Sequence, residues 1–229
     1  MITFENRDCV EAMKEFPDQY FDLAIVDPPY GDALGSEEVN WNRFGQMFDR
    51  YKHPKEEKSV ERRGGQWATK YGEHIVEWDV APKQEYFEEL FRVSKNQIIW
   101  GGNYFSLPTT RCFIAWVKTQ IPESFTMAMC EYAWASFNAN AKVLKCNSQG
   151  DPNDPRFHPT QKPVYLYMKC LSWFAQKGDK ILDTHVGSGS SLIACERMGL
   201  DVWGYEIDET YFKMTNERLE RVLAQGTLF

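Results

Sequence analysis

Lys180-Ile181-Leu182-Asp183-Thr184-His185-Val186-Gly187-Ser188-Gly189-Ser190-Ser191 carries three signals in one stretch. A short apolar run ends in an acid, two glycines flank Ser188 in a turn, and small hydroxyl residues open a helix predicted over Ser190 to Met198 and closed by Gly199. The next predicted strand, Leu200 to Tyr205, ends in a second acid, Glu206. Strand, glycine turn, helix and strand form one βα unit of an open α/β sheet, where ligands lie beyond the carboxyl ends of the strands. Such a unit suits an adenosine-type ligand: Gly187 and Gly189 admit close backbone approach, and Glu206 can take both ribose hydroxyls. A dinucleotide is disfavoured, because Leu192 stands at the third position of the G-x-G-x-x-G pattern, where a small residue lets helix and strand pack.

Far upstream, Asp27-Pro28-Pro29-Tyr30 follows the apolar run Phe21-Asp22-Leu23-Ala24-Ile25-Val26, so it too sits where a buried strand ends. Pro28 and Pro29 fix two φ angles and remove two backbone donors, which leaves a stiff hook of carbonyls between a carboxylate and an aromatic ring. A flat, amino-bearing ring fits such a hook. The plain alternative is a strand followed by a proline turn.

Around these two anchors, Met1 to Glu5 is predicted as a strand, Val10 to Phe16 and Pro82 to Val93 as helices, and Gln97 to Trp100 and Cys112 to Val117 as strands. Asp151 to Arg156 reads as a loop, after which helix and strand alternate from Val164, ending in a helix from Glu209 to Leu223. Residues 31 to 78 are polar and poorly periodic. A structureless stretch of that length is uncommon in a compact domain, so the chain reads as one domain, 1–229, with 31–78 an insertion. With 229 residues, 43% of them hydrophobic, it can bury one substantial core.

No apolar run approaches a membrane span and the opening residues do not resemble a leader, so the expected location is the cytoplasm. The six cysteines form no CxxC pair and no zinc spacing; they are read as reduced, structural thiols, and no metal is implied. A net charge of −7 argues against a protein that coats nucleic acid. Between Trp41 and Lys70, however, eight Lys or Arg face four acids. Arg43, Arg50, Lys52, Arg62 and Arg63 mix there with Trp41, Phe44, Phe48, Tyr51 and Trp67, a combination that can hold phosphates and stack on bases. A solvated loop is the equal alternative.

Taken together, these motifs resemble the amino-group DNA methyltransferases that use S-adenosylmethionine. Asp27-Pro28-Pro29-Tyr30 is similar to their catalytic motif, Asp183 to Ser191 to their DPFxGSGTT cofactor loop, and His158-Pro159-Thr160-Gln161-Lys162-Pro163 to their HPTQKP segment. Catalytic motif first and cofactor motif last is the order of the beta group. The resemblance implies a Rossmann-like α/β sheet with helices on both faces and a circularly shuffled motif order. It also implies that Asp8 meets the cofactor adenine and that Lys162 meets the cofactor carboxylate, each against a plain reading as an exposed turn acid or a solvated lysine. Thr184 and His185 depart from the family, which usually has Pro and Phe there, and this puts the expected apolar packing in question. His158 and His185 are read as structural, and Trp100, Tyr104 and Phe105 as core or pocket wall.

The chemistry suits these residues without the name. An exocyclic amine is a poor nucleophile because its lone pair is delocalised into the ring. Asp27 and the Pro28 carbonyl can accept the two amino hydrogens, which favours a tetrahedral nitrogen, while Tyr30 stacks on the ring. A duplex base reaches such a hook only when flipped, at a cost of about a few kcal/mol. By resemblance, Asp at the first position goes with adenine, Ser with the 4-amino group of cytosine, and Asn with other amino acceptors. The expectation is therefore a methyltransferase acting on adenine in double-stranded DNA. Methylation of cytosine, RNA or a protein amine, and a catalytically idle DNA-binding module, are the alternatives. A partner nuclease and the oligomeric state, a homodimer included, stay open. Finally, Gln225-Gly226-Thr227-Leu228-Phe229 resembles the QxxLF peptide that docks bacterial DNA enzymes on the sliding clamp, against a tail folded on its own core.

Overall fold

The computed structural model describes residues 1–30, 80–124, 128–148 and 154–226. Two compact units divide the chain, one of Met1–Pro28 with Pro82–Phe229 and the other of Pro29–Ala81. The insertion expected over 31–78 lies entirely outside the described residues, and with it Arg43, Arg50, Lys52, Arg62 and Arg63.

The larger unit is built on an eight-stranded sheet. In chain order its strands are β1 (Ile2–Asn6), β2 (Phe21–Val26), β3 (Ser94–Trp100), β4 (Cys112–Lys118), β5 (Cys130–Ala135), β6 (Lys142–Cys146), β7 (Lys180–Asp183) and β8 (Asp201–Glu206). Across the sheet the order is β1-β8-β7-β2-β3-β5-β4-β6, and β5 alone runs against the others. Strand β2 lies near the middle, so it is apolar on both faces: Leu23 and Ile25 enter one core layer, Ala24 and Val26 the other. Helices α1 (Cys9–Met13) and α2 (Gln84–Val93) cover the second layer. Helices α3 (Val164–Phe174), α4 (Ser190–Arg197) and α5 (Glu209–Gly226) belong with the first. Helices thus lie on both faces, as expected.

The differences from the expected elements have local causes. Helix α1 starts one residue early because the Asp8 carboxylate accepts the Glu11 amide at 2.9 Å, capping the first turn, and it ends at Met13 ahead of Pro17. Helix α2 begins two residues late, beyond Pro82 and an extended Lys83. Helix α5 runs to Gly226 rather than Leu223, with the Asp208 carboxylate accepting the Thr210 and Tyr211 amides at its start. Strands β5 and β6 were not expected at all. Leu144 is the only buried residue of the edge strand β6, too little apolar signal to register as a strand.

Candidate active site

The crossover β2-α2-β3 leaves β2 in one direction along the sheet and β7-α4-β8 leaves β7 in the other, so the sheet's topological switch point falls between β2 and β7. A crevice opens at the carboxyl ends of strands at such a point. Asp27 follows β2, Asp183 ends β7 and Glu206 ends β8, and these three acids therefore share one edge. Asp8, just past β1, stands at the same edge as the cap of α1.

The glycine turn is held in detail. Gly187 and Gly189 adopt left-handed backbone, with φ of +51° and +79°. A Cβ on Gly189 would lie 2.7 Å from Thr215 Cγ2, and one on Gly187 would lie 3.3 Å from the His158 ring. Glu206 accepts the Gly187 amide at 2.8 Å through Oε2 and the Asp208 amide at 2.9 Å through Oε1. Asp183 accepts the His185 amide at 3.0 Å and the Ser191 hydroxyl. Burial pushes the Asp183 carboxyl up to about 7; its two hydrogen bonds oppose this, and the nearby charges of Asp27 and Glu206 add to it. Glu206 is raised as well, by burial ahead of the opposing amide hydrogen bonds.

The close approach of α4 to the sheet, denied at the third glycine position by Leu192, is supplied from the strand instead. A Cβ at Gly204 would fall 2.7 Å from Val186 and 2.9 Å from Leu192. The missing Phe is likewise answered by a polar chain. The Tyr86 hydroxyl meets Thr184 Oγ1 at 2.7 Å, Thr184 Oγ1 meets His185 Nδ1 at 2.9 Å, and the His185 ring lies edge-on to Tyr86 at 5.2 Å. Burial lowers His185 to about 4, so near neutrality it is an uncharged ring in an aromatic position. Of the residues read as core or pocket wall, Trp100 is fully buried and Phe105 packs on Phe87, whereas Tyr104 is 54% exposed.

Pro28 is buried, and Pro29 and Tyr30 are half-buried. Asp27 is paired in a way the sequence did not reveal. Lys162, only 4% exposed, donates to Asp27 Oδ2 and lies 3.2 Å from Glu131 on β5. Of the two readings of Lys162, contact with the cofactor carboxylate or a solvated lysine, its burial excludes the second. Burial works against its charge, but Asp27 and Glu131 outweigh burial and hold its pKa above the ordinary lysine value. Glu131 also binds Lys118 of β4 at 2.5 Å. The HPTQKP segment thus spans the site, with His158 against the glycine turn and its ring 4.2 Å from Tyr211, and Lys162 against the hook. A second buried cation, Arg218 on α5, donates to the Ser188 carbonyl at 2.6 Å and binds Asp154 at 2.5 Å. Among the described residues, no group of three or more His, Cys, Asp or Glu is placed to hold a metal, and no helix is long and apolar enough to cross a membrane. All six cysteines are free, Cys130 exposed among them.

A family model described as DNA methylase matches residues 39–217. The chain is 40% identical to the type II methyltransferase M2.DpnII of Streptococcus pneumoniae, over 94% of this chain and 88% of that protein. It is 26% identical to the type II methyltransferase M.HpaI of Haemophilus parainfluenzae, over 93% and 72% of the two. Among solved structures, the M1.HpyAVI–SAM complex aligns with a TM-score of 0.57 at 19% identity, covering 96% of this chain and 99% of that one. The cytosine-N4-specific PvuII DNA methyltransferase aligns with a TM-score of 0.60 at 12% identity, covering 95% and 86%. Similarity at that level of identity concerns the fold.

Proposed function

Because the chain belongs to the N6/N4 DNA methylase family, we propose that it transfers a methyl group from S-adenosylmethionine to the exocyclic amino group of a flipped adenine in double-stranded DNA. The observation that carries this reading is the placement of Asp27 at the switch point, beside a strand whose glycine turn is locked to Glu206.

The residues present fit the cofactor. Gly187 and Gly189 present left-handed backbone without side chains, and each Glu206 oxygen takes one amide while keeping acceptor capacity for a ribose hydroxyl. When bound, the cofactor supplies an electrophilic methyl. In this reading Gly187, Ser188 and Gly189 cradle it, Asp183 and Glu206 accept its donors, and Asp8 approaches its adenine. Asp27 and the Pro28 carbonyl accept the hydrogens of the target amine, Pro29 stiffens the hook, and Tyr30 stacks on the base. Adenine rather than cytosine is supported by Asp at the first position of the hook. The segment holding Arg43, Arg50, Lys52, Arg62 and Arg63 would meet phosphates, and the closing Gln225–Phe229 peptide would dock on a sliding clamp.

Transfer of labelled methyl to DNA, followed by digestion and identification of the modified base, tests the reading. N6-methyladenine is expected, and N4-methylcytosine would move the proposal to the other amino group. Asp27→Ala should abolish turnover with cofactor binding intact. Glu206→Ala should instead weaken cofactor binding by about 1–3 kcal/mol, by leaving hydroxyls unpaired. For the clamp, Leu228→Ala with Phe229→Ala should remove binding and spare methylation of short DNA.

A further inference from the structure

Four strand ends meet around one lysine. Asp27 follows β2, Trp100 ends β3, Lys118 ends β4 and Glu131 lies near the start of the reversed strand β5, so all four stand at the same edge of the sheet. Lys162, just before α3, enters among them. Its ammonium donates to Asp27, lies 3.2 Å from Glu131 Oε2 and sits 5.4 Å from the centre of the Trp100 ring. Glu131 Oε1 in turn binds Lys118 at 2.5 Å, and the Lys118 ammonium is 5.3 Å from the Trp116 ring. Carboxylate, ammonium, carboxylate and ammonium alternate along the row, so its net charge is zero.

We propose that Glu131 is a positioning residue for methyl transfer: it anchors Lys162, which in turn fixes the Asp27 carboxylate in the orientation that receives the target amine. This rests on the proposed function of Asp27. The physical reason lies in the lysine. A four-carbon side chain paired with one carboxylate would follow that carboxylate wherever it turned, because its donors rotate freely. Glu131, held by its own strand and by Lys118, supplies the second fixed point, and the Trp100 face supplies a third. Trp100 is fully buried, and its indole nitrogen has no hydrogen-bond partner among the described residues, so its ring face is what it offers the row. Lys162 holds Asp27 still, and Glu131 keeps Lys162 still.

The test is Glu131→Gln alone and with Lys118→Met, assayed for labelled methyl transfer with cofactor and DNA varied separately. Glutamine keeps the shape and removes the anchoring charge, and the added Lys118→Met restores neutrality by removing the cation left unpaired. Both variants should fold, lose about 100-fold in kcat, as a misplaced reacting group does, and change KM for cofactor and for DNA by less than about threefold. A kcat within threefold of the parent in Glu131→Gln overturns the inference. So does recovery of kcat in the double variant, which would make charge imbalance the cause, or a loss confined to cofactor affinity, which would make Lys162 a cofactor ligand. Failure of the double variant to fold would make the row structural. If the parent itself transfers no methyl to DNA, it is the proposed function that fails.

Discussion

Replacing Arg218 by Met should unfold this protein more readily than its place on a helix suggests. The guanidinium is 2% exposed and holds three groups together: the Asp154 carboxylate, 15% exposed, the Ser188 carbonyl inside the glycine turn and the Ser190 hydroxyl at the start of α4. Methionine fills much of the same volume, so little of the loss is cavity. Breaking a buried ion pair from one side costs about 3–5 kcal/mol, because the remaining charge stays buried without compensation. Here Arg221, at 3.4 Å, still reaches Asp154, which favours the lower figure of about 3 kcal/mol. For a chain of this size that corresponds to a fall in Tm of roughly 6–12 °C. Adding Asp154→Asn removes the stranded charge and leaves mainly the unpaired Ser188 carbonyl, at about 1–2 kcal/mol. Urea unfolding of parent, both single variants and the double variant measures the coupling. A cost for Arg218→Met below about 1 kcal/mol, or a double variant no more stable than Arg218→Met, would refute the reasoning.

Asp183 should make stability fall as pH rises. Its carboxyl ionises near 3.8 in the unfolded chain and is pushed up to about 7 in the folded one, so the folded state binds the extra proton between those values and loses that advantage above them. Asp183→Asn should therefore gain on the parent from about pH 4 to about pH 7, and a difference in stability independent of pH would remove Asp183 as the cause. Gly189→Ala should cost about 1–2 kcal/mol for its left-handed backbone, and more for the contact with Thr215 Cγ2. Thr215→Ser deletes that methyl and keeps the hydroxyl bond to the Gly187 carbonyl, so the double variant should unfold at higher urea than Gly189→Ala; equal midpoints would discount the contact. Replacing Arg62 and Arg63 by Ala should flatten the slope of log K against log salt for DNA by up to about 1.8, and an unaltered slope would favour a solvated loop.

What could be read in the sequence was local. An apolar run ending in Asp27 or Asp183, and a turn of Gly187 and Gly189, announce themselves within a dozen residues, because strand ends and left-handed turns are decided there. Strands β2, β7 and β8 and the helix after the glycine turn were found that way. The partners of Lys162, and Glu131 and Arg218 altogether, were not, for one reason. Each of the three is a charged residue, buried or half-buried, paired with a partner far away in the chain, Lys162 with Asp27, Glu131 with Lys162, Arg218 with Asp154. A lone charge in a sequence reads as solvated, since only its fold can supply the opposite charge. Gly204 shows the same limit in packing. The small residue that lets helix α4 approach the sheet was sought on the helix, where Leu192 stands, and sits on the strand opposite. Nothing in the spacing of glycines distinguishes these two solutions.

Three acids on one sheet edge of an acidic chain would repel one another, and the protein treats them unequally. Asp27 receives an ammonium, Lys162, and with it a fixed orientation. The hydrogen bonds to Asp183 and Glu206 come from amides and a hydroxyl, and both carboxyls are raised by burial. A positive charge brought beside either of these two would favour its ionised form. By contrast, the carboxylate after β2 is already paired with an ammonium. The edge is thus held unevenly, with a carboxylate paired to an ammonium after β2 and carboxyls bound by neutral donors after β7 and β8, and the proposed placement of target base and cofactor follows that asymmetry.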